Sequence, residues 1–152
     1  MKKRALILTI IIIALAQCSV LDYFRIFHLK PDLLLITTVI AALTMEFRWA
    51  LFIAVLAGVL KDMFSIHALA FNAPMFAFLA FIIQELIKRV ALENTAVRTV
   101  IVVIAVIFQD IIIRLISINS GSLIPAGIFL RVTILESLYT GLVSFFLFRQ
   151  IR

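Results

Sequence analysis

Charge is scarce in this chain. Charged residues are 14% of its 152 residues, where soluble domains carry roughly 25%. Cysteine occurs once, at Cys18, which excludes an internal disulfide. Glycine occurs four times and never in a cluster, so no Gly-rich loop is available to cradle a phosphate. The two histidines, His28 and His67, stand on separate connections and form no metal-ligand motif. No nucleophile has a histidine and an acid at a defined spacing. These absences leave an enzyme reading with no motif to rest on, and no cofactor or metal is expected.

Apolar surface is what the chain has in quantity. Hydrophobic residues make up 65% of it, with 14 phenylalanines and a mean hydropathy of +1.25. A soluble core of this length cannot absorb that much apolar surface, but a bilayer can. A transmembrane helix needs about 20 apolar residues, and six candidate spans appear, at about 5–22, 32–47, 49–66, 69–88, 97–118 and 126–148. The second is short. The charged tripeptide Glu46-Phe47-Arg48 reads as a tight turn before the third. Asn72 and Pro74 fall in the first turn of the fourth, where proline is tolerated. Met1-Lys2-Lys3-Arg4 before an apolar run resembles a signal peptide. The run continues to Leu21, and Gln17 is a poor residue before Cys18 for a lipoprotein box, so an uncleaved first span is expected. The fold class is thus an all-α membrane protein, one polytopic domain over residues 1–152 with six transmembrane helices.

The formal charge of +6 belongs to topology rather than to nucleic acid. With the N-terminus inside, the cytoplasmic ends hold Lys2, Lys3, Arg4, Arg48, Lys88, Arg89, Arg98, Arg149 and Arg152, and the outer loops hold Arg25 and Lys30. That bias places both termini in the cytoplasm. The basic ends also suit anionic lipid headgroups.

Six charges fall inside the apolar stretches: Lys61, Asp62, Asp110, Arg114, Arg131 and Glu136. Such residues are costly in hydrocarbon and face a protein interior, a cavity or a partner. Counted from the cytoplasmic ends, Asp62, Asp110 and Glu136 lie roughly 18–20 Å up their helices, in the outer half of the membrane. Lys61 shares that level, and Arg114 and Arg131 sit somewhat higher. Gly58, Lys61, Asp62 and Ser65 share one helix face, as do Asp110, Arg114 and Ser117. Thr133, Glu136, Ser137, Thr140, Gly141 and Ser144 line one face of the last span, and Arg131 lies off it, placed to snorkel. Two readings fit: an ion-pair network that fixes helix packing, and a polar site for a ligand or partner helix. Three acids matched by three bases favour the network for much of the set and weaken a proton-relay reading.

Small residues mark packing faces at Ala54, Gly58 and along Ala73, Ala77, Ala80 and Gln84. Phe71, Phe76, Phe78 and Phe81 read as lipid-facing bulk. Tyr23 to His28 reads as interfacial.

The central third resembles a known family. Lys30-Pro31-Asp32-Leu33-Leu34-Leu35 opens the second span, Glu46-Phe47-Arg48 leads to the third, and Gly58-Val59-Leu60-Lys61-Asp62 closes it. A proline-led second span, a Gly-x-x-x-Asp ending the third and an acid in the fifth, matched by Asp110, are similar to the rod-shape-determining MreD family. Pro31, Asp32, Gly58 and Asp62 carry the motif. Lys61 departs from the pattern, where an apolar residue is more usual, and Ile66 to Ala70 lacks the family's glycine turn. The resemblance implies a scaffold of the bacterial side-wall elongation machinery in the inner membrane. It implies association with MreC, and membership of a complex with wall synthases and the actin-like filament protein. A homodimer or a two-to-two complex is a further expectation. The family has been likened to substrate-binding membrane subunits of energy-coupling-factor transporters, so a vitamin- or metal-binding transporter subunit is the rival reading.

Overall fold

The computed structural model describes Ile12 and residues 32–63, 71–89, 94–121 and 125–150. The expected first span, apart from Ile12, lies outside them, as do the Tyr23–His28 loop, Cys18, Pro31 and His67. Among the described residues every regular element is an α-helix: α1 Leu33–Thr44, α2 Phe47–Met63, α3 Asn72–Ile87, α4 Thr95–Asn119 and α5 Ala126–Gln150. Each coincides with one of the later five expected spans. Two helices, Thr95–Asn119 and Ala126–Arg149, are long and apolar enough to cross a membrane. The 12 residues of α1 and the 16 of α3 rise only about 18 and 24 Å, short of a hydrocarbon core of about 30 Å.

Helix ends follow local chemistry. The expected turn at Glu46-Phe47-Arg48 falls earlier, at Met45 and Glu46. The Glu46 carbonyl accepts from the N–H groups of Trp49 and Ala50, both at 3.0 Å, so the chain is already winding as α2 at Phe47. Asn94 starts α4 by accepting the Ala96 N–H on its side-chain oxygen at 3.0 Å, an N-cap. Gly121 closes it at φ +81°, a left-handed conformation that glycine adopts without a Cβ penalty.

The helices pack as two units. In the first, α1, α2 and α3 bury small residues, Ala41, Ala42, Ala50, Ala54, Ala57 and Ala80, together with Ile53, Phe76 and Ile83. Small side chains let backbones approach closely, which is how helices associate where lipid removes the hydrophobic drive. Phe76 is fully buried, which corrects its reading as lipid-facing bulk. Phe78 and Phe81 are exposed and Phe71 is half-buried.

The second unit joins α4 and α5 with Asp32. The pattern of α5 is inverted relative to a surface helix of a water-soluble protein. The buried residues of α5 are Thr133, Ser137, Thr140, Gly141, Ser144 and Phe148, while Leu138 is 62% exposed and Phe146 61%. On α4 the buried residues are Val102, Ala105, Val106 and the amide Gln109, and Ile104 and Leu115 are exposed. A surface helix in water turns its apolar stripe inward. Polar inside and apolar outside is stable where the surrounding solvent is hydrocarbon.

Candidate functional site

Gly58 and Asp62 lie four residues apart on α2 and so share a face. Gly58 is buried against the start of α3. A Cβ there would come within 2.6 Å of the Ala73 nitrogen and 2.7 Å of the Asn72 carbonyl oxygen, so only glycine permits this approach. One turn later the Asp62 carboxylate meets the first N–H groups of α3. Its Oδ1 accepts from the Asn72 backbone N–H at 3.1 Å and from the Asn72 side-chain amide at 2.8 Å. Its Oδ2 accepts from the Ala73 N–H at 3.2 Å. The residue before the helix, Phe71, supplies no side-chain cap. An acid from the neighbouring helix therefore caps α3, satisfying donors that a helix start leaves open and placing negative charge at the positive end of its dipole. The Gly-x-x-x-Asp motif thus combines close approach with capping.

Beside it, the Lys61 ammonium lies 5.2 Å from the centroid of the Phe76 ring, a cation–π contact. At the other end of this unit, the Gln84 side chain of α3 donates to the Ala42 carbonyl at 2.6 Å and to the Met45 carbonyl at 2.8 Å. Those carbonyls belong to the last turn of α1 and the break after it, where no helical partner remains.

In the second unit, Asp32 is buried, 3% exposed. Its N–H donates to Thr140 Oγ1 of α5 at 3.2 Å, and its Oδ2 accepts from Gln109 Nε2 of α4 at 3.4 Å. One residue thereby engages both helices of the pair. Gln109 escaped the sequence reading. Its signal was an amide inside an apolar run, directly before Asp110. Gly141 marks the close approach of α5 to α4, since a Cβ there would meet Val103 Cγ2 at 2.7 Å.

The six charges within the apolar stretches divide between the units. Lys61 and Asp62 belong to the first, and Asp110, Arg114, Arg131 and Glu136 to the second. Asp110, Arg114 and Glu136 are half-buried. The Arg114 guanidinium lies 4.3 Å over the centroid of Phe129. Arg131 is exposed, away from the buried stripe of α5. Among the described residues, no three His, Cys, Asp or Glu side chains gather as a metal site.

No curated protein and no solved structure matches the chain. A family model described as rod shape-determining protein MreD matches residues 2–152. On that match, which covers essentially the whole sequence, the chain belongs to the MreD family of rod shape-determining membrane proteins.

Proposed function

We propose that this chain is a non-enzymatic scaffold of the side-wall elongation complex in the bacterial inner membrane. It crosses the membrane six times with both termini in the cytoplasm. It holds the transmembrane end of MreC and helps place peptidoglycan synthases along the actin-like filament protein. Family membership supports the shape-determining role. The observation that favours a scaffold over a ligand-binding transporter subunit is the engagement of Asp62. Its carboxylate accepts three N–H groups from the start of α3, so this acid serves helix packing. Gln84 and Asp32 serve packing in the same way. Asp110, Arg114 and Glu136 are the charges assigned to contact with a partner helix.

Affinity purification from mild detergent tests the reading. A tagged chain should recover MreC, a single-span protein with a periplasmic coiled coil. Recovery of an ATPase module instead, with stoichiometric binding of a vitamin or metal, would establish the transporter reading in its place.

A further inference from the structure

One face of α5 carries Arg131, Leu135, Leu138, Leu142, Phe145 and Arg149. Steps of four and three residues keep these side chains on one side of a helix. All are exposed except Leu135, which is half-buried. The arginines at its two ends are separated by about 27 Å of helical rise, close to the roughly 30 Å thickness of a bilayer hydrocarbon core. Among the described residues neither arginine forms an ion pair.

The stripe contains no small residue. Between the two arginines, the small and hydroxyl residues of α5, Thr133, Ser137, Thr140, Gly141 and Ser144, are all buried. Helix contacts within membranes concentrate small residues, so bulky leucines and a phenylalanine between two arginines mark a surface facing lipid rather than a partner helix. Arg131 lies near the N-terminal end of α5. Helical side chains lean toward the N-terminus, which carries its guanidinium away from the membrane centre. A guanidinium presents paired donors that match a phosphate.

We propose that Arg131 binds the phosphate of a membrane phospholipid and, with Arg149 at the opposite headgroup level, fixes the depth of α5. Arg131 then stands outside the set of charges that serve packing or a partner. The inference rests on the membrane reading of the chain and is independent of MreC binding.

The full chain, with guanidinium carbons labelled, is reconstituted into phosphatidylethanolamine–phosphatidylglycerol liposomes in phosphate-free buffer. Solid-state carbon–phosphorus dipolar recoupling then reads guanidinium-to-phosphorus proximity. A coupled arginine signal is expected in the native chain and is diminished in Arg131→Lys, which keeps the charge. Undiminished coupling in that variant, or none in the native chain, overturns the phosphate site. A spin label at Leu138 in a Cys18→Ser background separates the causes. Access to oxygen and not to aqueous nickel is expected. Exclusion of both means that protein covers the stripe and overturns the inference, whereas free access to nickel contradicts the membrane reading itself.

Discussion

Asp62 caps the start of α3. Asp62→Ala leaves the N–H groups of Asn72 and Ala73 without the acceptor they have now. The expected loss is about 1–3 kcal/mol, read as a lower unfolding temperature in detergent and a lower protein level in the membrane. Asp62→Asn keeps one acceptor oxygen and should fall between. A stability equal to the parent in Asp62→Ala would contradict the capping role. Gly58→Ala should also destabilise, by about 1–3 kcal/mol, because the added carbon meets the backbone of Asn72 and Ala73. Ala73→Gly should fail to restore it, since the backbone remains. The helical period alone placed Gly58 and Asp62 on one polar stripe of α2. The match of acids to bases points to a base as the counterpart of Asp62, whereas its carboxylate meets the amides at the start of α3. Period says which residues share a face, but not which end of which helix that face will meet.

At the scale of elements, the two packing glycines make opposite expectations. Gly141→Ala brings a Cβ to 2.7 Å from a side-chain methyl of Val103, which substitution can remove. The double variant Gly141→Ala, Val103→Ala should therefore recover most of the unfolding temperature lost by Gly141→Ala alone. No recovery would mean that α4 and α5 do not meet there. The buried polar stripe of α5 was legible because hydroxyls recurring every three or four residues in an apolar helix have nowhere favourable to go but inward. The role of Gln84 was not legible. Its acceptors exist only because α1 stops at Thr44, and the sequence reading carried that span on to residue 47. Gln84→Ala should strand the Ala42 and Met45 carbonyls and lower stability by about 1–3 kcal/mol. Thermal unfolding of the purified protein reads this directly, and an unchanged midpoint would remove the amide from the list of helix-end caps.

At the scale of the whole molecule, the membrane class was legible from composition, because apolar content so far exceeds what a soluble core of 152 residues can hold. The family was legible from four residues, Pro31, Asp32, Gly58 and Asp62. Two of these, Gly58 and Asp62, now have a packing reason at one helix junction, and Asp32 has one in the other unit. The helix lengths were less legible, since the expectation rested on spans of about 20 residues and α1 and α3 have only 12 and 16. The proposed six crossings, with the charge bias, put Arg152 and the Ser117–Ile124 connection on opposite sides, so reporter fusions at those positions should give opposite signals. Signals from the same side would overturn the proposed topology.

The central claim is that the chain determines rod shape by acting within the wall-elongation machinery. Its most direct test is cell shape, measured by microscopy as the chain is depleted from its rod-shaped host. Progressive widening and rounding while septation continues is the expected result, reversed by re-expression of the native chain. Rods of unchanged width after the protein has disappeared from the membrane would contradict the account.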